Sequence, residues 1–117
     1  MSYVDGFVLA VAKDKLDAYK EMSRRCGEIW KEYGAIDYVE CVADDVPYGE
    51  LTSFPRAVQA KDDELVVFSW ITYESREQRD AVNAKVFADP RLNNMMNEPP
   101  FDAKRMIYGG FKMMLRM

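Results

Sequence analysis

The chain has 117 residues, with 16 Lys and Arg against 20 Asp and Glu, a formal net charge of −4 and a pI of about 4.9. That balance argues against a nucleic-acid or anionic-membrane binder, which would present a basic face. The absence of histidine excludes proximal-His haem, His-ligated zinc, and Ser-His-Asp or Cys-His catalysis. With 49% apolar and 31% charged residues, the chain reads as one soluble globular domain over residues 1–117. Its length allows a core that buries roughly two-thirds of the unfolded surface. Cys26 and Cys41 are too few for a disulfide scaffold and too far apart for a CxxC pair, so both read as reduced, half-buried thiols. No signal peptide or membrane-length apolar run is found, and the expected location is the cytoplasm.

Residues 3–12 alternate with apolar side chains on both parities and predict a strand buried on two sides. Asp14 is placed to cap a helix whose apolar stripe runs Leu16, Tyr19, Met22, Cys26, Ile29, Trp30 and Tyr33. Gly34 is placed to end it as a left-handed cap. A second strand follows from Ala35 to Val42. Residues 43–56, with Asp44, Asp45, Pro47, Gly49 and Pro55, read as a long loop of the kind that is often functional or mobile. Ala57 to Ala60 predicts a short extended piece, Asp62-Asp63 a turn, and Leu65 to Tyr73 the strongest strand. Ser75 with Gln78 opens a second helix as a capping box, running to about Ala88. Asp89-Pro90 starts a short third helix. Residues 97–102 read as irregular, and Arg105 to Leu115 as a last strand containing Gly109-Gly110.

The order is βαββαβ, the ferredoxin-like arrangement: an α+β protomer with a four-stranded antiparallel sheet and the helices on one face. Leu65, Val67 and Ile71 then point one way and Val66, Phe68 and Trp70 the other. An exposed sheet face that apolar marks an interface, and a homodimer pairing sheet against sheet covers it with twofold symmetry. The eight methionines, four of them at Met106, Met113, Met114 and Met117, read as adaptable packing in core and interface.

Several segments resemble one family. They are Tyr3-Val4-Asp5-Gly6-Phe7-Val8, Gly34-Ala35, Glu40-Cys41, Asp44-Asp45-Val46-Pro47 with Gly49, Thr52-Ser53-Phe54, Phe68-Ser69-Trp70, Arg79-Asp80, Asp89-Pro90-Arg91, and Phe101-Asp102 through Arg105-Met106-Ile107-Tyr108-Gly109-Gly110-Phe111. Together they resemble the YbaA-like uncharacterised bacterial family of the dimeric α+β barrel superfamily, over nearly the whole chain. Ala12-Lys13 departs from the resemblance, which leads one to expect proline in that turn. The resemblance implies a dimeric barrel and no established activity. The wider superfamily holds cofactor-free quinone-forming monooxygenases, haem-degrading enzymes, haem chlorite dismutases, muconolactone-type isomerases and small stress-response proteins. Their ligand sites lie in the cleft between sheet and helices. The missing histidine speaks against the His-ligated haem branches.

Charges inside strands are the candidates for chemistry. Asp5 sits among Tyr3, Phe7 and Leu9; Glu40 shares a parity with Tyr38 and Val42; Arg105 opens the last strand; and Ser69 interrupts the third. In this topology Arg105 is expected to approach Asp5, with Glu40 facing one of them or a partner subunit. A buried carboxylate needs a partner, so the set reads either as a structural ion pair or as a pocket with an acid/base carboxylate and an anchoring Arg. Tyr3, Tyr38, Trp70, Tyr73 and Tyr108 suit either ordinary packing or a flat ligand in an apolar cleft. Asp44, Asp45 and Glu50 lack calcium-loop spacing and read as a solvated loop. Gly109-Gly110 reads as a bulge or a close backbone contact, not a phosphate loop. RNA-recognition domains share the βαββαβ order, but Glu64 to Trp70 lacks the basic-Gly lead of their third strand, so RNA is a remote alternative.

The functional expectation is a small cytosolic dimer that binds or converts a small aromatic or acidic molecule in the cleft. It uses no cofactor or metal, and Glu40 or Asp5 acts with Arg105. The alternative is a noncatalytic structural or stress-related dimer whose polar strand residues fix register. Whether the chain is an enzyme stays open at this point.

Overall fold

The computed structural model describes residues 2–117. Strands β1 (Tyr3–Ala12), β2 (Asp37–Val42), β3 (Glu64–Tyr73) and β4 (Ile107–Lys112) form one antiparallel sheet in the order β2-β3-β1-β4. Helices α1 (Leu16–Glu32), α3 (Arg76–Phe87) and α4 (Pro90–Met95) follow the crossovers, and α2 (Phe54–Ala57) lies between β2 and β3. This is the expected ferredoxin-like βαββαβ protomer. The two longest strands, β1 and β3, are its centre, and their apolar residues on both parities are what a central position requires.

Register assigns the faces. Tyr3, Asp5, Phe7, Leu9 and Val11 of β1 lie level with Tyr73, Ile71, Ser69, Val67 and Leu65 of β3 on the side packed by the helices. Tyr38 and Glu40 join them from β2, and Tyr108 and Gly110 from β4. The stripe of α1 packs on this side: Tyr19 meets Leu9, Val11 and Val67, while Cys26 and Ile29 meet Tyr3, Ile71 and Tyr73.

Several local expectations are corrected. Asp14 does not cap α1. The chain leaves β1 through a 3₁₀ turn, Lys13–Lys15, tied by the Lys13 N–H to the Asp63 carbonyl at 2.9 Å, and α1 begins without a side-chain cap. The 43–56 segment is not loop throughout. Ser53 accepts a hydrogen bond from the Arg56 N–H and Pro55 fixes the first turn of α2, so residues 57–60 are not extended. Val58 is buried against Ala10 and Val66, so this segment covers one end of the sheet's second face. Cys41 is exposed, whereas Cys26 is buried. Arg105 lies in a 3₁₀ turn (Ala103–Arg105), and the last strand runs only over Ile107–Lys112.

Other local signals hold. Gly34 adopts φ +120° after α1, a conformation that suits glycine. Ser75 Oγ accepts from the Gln78 N–H at 3.1 Å, although the Gln78 side chain accepts from Glu74 rather than Ser75. Asp89 caps α4 with Pro90 behind it. Gly109-Gly110 forms no bulge; the β1–β4 register runs unbroken through it.

Candidate functional site

Between the sheet and α1, α3 and α4 lies a cavity of about 630 Å³, within the range of small-molecule sites. Its walls are mainly apolar and aromatic, with Phe7, Met22, Trp30, Phe87, Phe101 and Met106 among them. Two polar clusters mark its ends, each built around a carboxylate from a strand.

The first is centred on Glu40 of β2. Tyr19 Oη donates to its two oxygens at 2.9 and 3.0 Å, and Ser23 Oγ donates to Oε2. Tyr38 Oη contacts Ser23 Oγ at 3.1 Å. Tyr19 and Ser23 stand one turn apart on α1, so both hydroxyls come down on the same carboxylate. Burial first, and then the Glu40 charge, raise the Tyr19 hydroxyl above its ordinary range. Burial does the same to Tyr38, and raises the neighbouring Cys26 thiol to about 11. These groups stay protonated at neutral pH and act as fixed donors, and Cys26 is an inert thiol.

The second cluster is centred on Asp5 of β1. Its nearest cation is Arg79 of α3, with Nε 3.4 Å from Asp5 Oδ1. Arg79 donates from Nη2 to Tyr3 Oη at 2.9 Å, lies over the Tyr3 ring, and has Nη1 3.2 Å from exposed Asp80. Its buried Nε has no hydrogen-bond partner. Trp30 Nε1 donates to Tyr73 Oη at 3.1 Å and to Asn83 Oδ1 at 3.2 Å, and Tyr73 Oη donates to the same Asn83 oxygen at 3.2 Å. An indole N–H only donates, so the Asn83 amide is oriented: its oxygen faces Trp30 and its NH₂ faces the Asp5 side. Burial raises the Asp5 carboxyl above its ordinary range, opposed in part by Arg79 and then by Asn83 and Tyr73. The direction is the one that burial imposes on a carboxyl when its partners do not fully offset the lost solvation.

Gly110 of β4 lies opposite Asp5. A Cβ there would collide with the Tyr3 hydroxyl and the Arg79 guanidinium. The close-contact reading of Gly109-Gly110 therefore has a concrete cause: the strand gives up a side chain so that Arg79 can lie over it.

The expected Asp5–Arg105 approach does not occur. Arg105 binds Glu64 through both Nη atoms at 2.7 and 2.8 Å, Asp102 through Nε at 2.9 Å, and the Gln59 carbonyl at 2.9 Å. It clamps the turn before β3 to the segment before β4. This bidentate contact lowers the Glu64 carboxyl to about 2. Trp70 is also displaced from the expected set. It borders the cavity, but its register places the indole on the opposite sheet face, where it packs edge-on against Phe68. Ser69 lies on the cavity floor between Phe7 and Glu40 in register. Tyr108 borders the cavity from β4 and stacks on Phe7 at 6.3 Å. Among the described residues no three His, Cys, Asp or Glu groups come together as metal ligands.

Four site residues were not singled out as chemistry from the sequence: Tyr19, Ser23, Arg79 and Asn83. Their signal was periodic. Ser23 falls on the α1 stripe, and Arg79 and Asn83 lie one turn apart on the α3 face that buries Val82 and Val86.

Comparison with known proteins bears on this arrangement. Residues 2–103 match the family described as "Protein of unknown function (DUF1428)". The chain belongs to the DUF1428 family. It is 55% identical over 112 residues to the uncharacterized protein YbaA of Escherichia coli K12, covering 96% of each chain, and equally similar to YbaA of Shigella flexneri. Among solved structures, a putative antibiotic biosynthesis monooxygenase from Nitrosomonas europaea aligns with a TM-score of 0.55 at 15% identity, over 97% of this chain and 90% of the other. A nipsnap family protein from Agrobacterium tumefaciens aligns with a TM-score of 0.56 at 15% identity, over 94% and 86%. At that identity the likeness extends to the fold alone. The DUF1428 match ends before β4, so Gly110 lies beyond it, while Asp5, Glu40, Arg79 and Asn83 lie within it. Among the described residues no helix is long and apolar enough to cross a membrane.

Proposed function

We propose that this protein binds, and acts on, a small, mostly apolar molecule in the cavity between sheet and helices, without a cofactor. The polar head of that molecule meets Asp5. The observation that carries this reading is the unequal treatment of the two cavity carboxylates. Glu40 is held by hydroxyl donors from α1. Asp5 has one cation at 3.4 Å, the Asn83 amide and the Tyr73 hydroxyl beside it, and a carboxyl still raised by burial. A group left that way inside a roomy apolar cavity is available to a ligand. Arg79 takes the anchoring role that the sequence suggested for Arg105. The volume of the cavity, about 630 Å³, supports this reading over a noncatalytic dimer, whose cleft would be packed by side chains.

The working unit we propose is a homodimer paired through the second sheet face. Phe68, Ile107 and Phe111 are exposed there, and Phe54 stacks edge-on against Phe68. Contiguous apolar area of this kind marks an interface. It also leaves RNA no basic platform. Two free thiols suit the reducing cytoplasm.

The test is a thermal-shift screen against aromatic acids, quinones, cyclic ketones and short carboxylates. A ligand at 100 times its Kd adds about 2.7 kcal/mol, which raises Tm by several degrees. A hit should persist in Arg105→Ala and disappear in Arg79→Met. A hit insensitive to Arg79, or silence across the panel, overturns the reading. Light scattering tests the dimer: a mass of 13.6 kDa at micromolar concentration refutes it.

A further inference from the structure

The Asp5 end of the cavity combines three groups whose arrangement suits one reaction class. Asp5 is a carboxylate on a rigid central strand, at the edge of an apolar space. The Asn83 amide presents its NH₂ to that end because Trp30 and Tyr73 both donate to its oxygen. Arg79 brings a positive charge to the same end, with an Nε–H that has no hydrogen-bond partner. Both donors face the Asp5 carboxylate, and a proton acceptor with N–H donors gathered beside it is what abstraction of a proton next to a carbonyl needs.

Resting on the reading that the cavity binds small molecules, we infer that Asp5, Asn83 and Arg79 catalyse enolisation of a small, mostly apolar ketone. The Asp5 carboxylate takes the proton from the carbon beside the carbonyl. The C–H electron pair becomes the C=C bond, and the carbonyl π pair moves onto oxygen. The Asn83 N–H and the Arg79 guanidinium hold that oxyanion. The Asp5 carboxyl then returns a proton to the same carbon, or to the far end of a conjugated system, which isomerises the substrate. No oxidant, reductant or metal enters the balance. Gly110 is the positioning residue, since a Cβ there would collide with the Arg79 guanidinium and with the Tyr3 hydroxyl it donates to.

The probe is 2-indanone in deuterated buffer, with binding followed by saturation-transfer NMR and exchange by loss of the α-proton signal. The protein should bind it saturably and speed deuterium uptake about 100-fold over buffer. Asp5→Asn should keep binding and return exchange to the buffer rate. Gly110→Ala should lower exchange about tenfold or more with a smaller change in binding, and Arg79→Lys should recover more exchange than Arg79→Met. Binding with exchange at the buffer rate overturns the inference and leaves the cavity reading standing. Absence of saturable binding overturns both. Exchange that survives in folded Asp5→Asn removes Asp5 from the chemistry. Should that variant fail to fold, unchanged exchange in folded Gly110→Ala and Arg79→Met overturns the inference equally.

Discussion

Asp5 on β1 and Glu40 on β2 stand on the helix-facing side of the same sheet. Ser69 and Ile71 of β3 lie between them, and two strand spacings with a two-residue stagger put their backbones about 12 Å apart. Both carboxylates face the same cavity, yet the helices above treat them differently. α1 lowers two hydroxyls onto Glu40, and the result is a closed hydrogen-bond network. α3 offers Asp5 a guanidinium at 3.4 Å that is shared with Tyr3 and Asp80. A fully hydrogen-bonded buried carboxylate helps to fix the packing around it, and the binding role we propose falls to the other. The contrast teaches that a charged residue inside a strand is not informative by itself. What the facing helix supplies decides how it is held.

The comparison breaks most visibly at Arg79. Arg79→Met removes the nearest cation from Asp5, with an expected cost of about 3 kcal/mol at neutral pH and loss of the ligand-induced thermal shift. Adding Asp5→Asn should recover much of the stability and none of the ligand response, as a double-mutant cycle by denaturant unfolding would record. At the other end, Tyr19→Phe removes both hydrogen bonds to Glu40. An expected loss of about 2 kcal/mol, with the ligand response intact, would sharpen the division into a packing end and a binding end. Loss of ligand binding in Tyr19→Phe would erase it.

Arg105 serves as the control outside the cavity. Arg105→Ala should cost about 1–2 kcal/mol and leave ligand binding unchanged. It also has a pH signature. The Glu64 carboxyl is lowered from 4.5 to about 2, so its contribution is present above pH 4.5 and is lost as the pH falls toward 2. Arg105→Ala should flatten that acid limb in a Tm-against-pH series. Asp5 has the opposite sign. Its raised carboxyl favours the folded state when protonated, so it weakens stability as the pH rises above its ordinary value of 3.8. The smallest expected effect is Ser69→Ala on the cavity floor, within about 0.5 kcal/mol, which a chemical-denaturation midpoint would register. A larger loss would mean that Ser69 supports one of the two carboxylate networks.

How much of this was legible in the chain differs between fold and site. The βαββαβ order, the central β1 and β3, the Ser75 and Asp89 caps and the Gly34 turn follow from alternation, helical spacing and cap chemistry, all of which act within a few residues. Asp5, Glu40 and Ser69 were legible as polar interruptions of apolar strands, and Tyr38 as an aromatic on the parity of Glu40. Their partners were not. Strand parity says which face a residue occupies, but it does not say which helix residue comes down upon it. Arg105 looked like a partner of Asp5 because strand order places β4 beside β1. The 3₁₀ turn at Ala103–Arg105 holds it outside that strand, and Glu64 takes its guanidinium. Trp70 was expected both on the open-face parity with Val66 and Phe68 and among the cavity aromatics; its register agrees with the parity.

The sequence by itself determined the layered α+β fold, the two-sided apolar sheet and the presence of carboxylates where the strands are otherwise apolar. Short-range patterning carries that information, because side-chain direction repeats every 2 residues in a strand and every 3.6 in a helix. Only the tertiary structure decided that Arg79 rather than Arg105 faces Asp5, that Tyr19 and Ser23 close off Glu40, and that Gly110 makes room for the guanidinium. Those pairings depend on how α1 and α3 seat on the sheet. Their seating is fixed by the packing of Ile29, Tyr73, Val82 and Val86, a set of contacts among distant parts of the chain that no local pattern encodes.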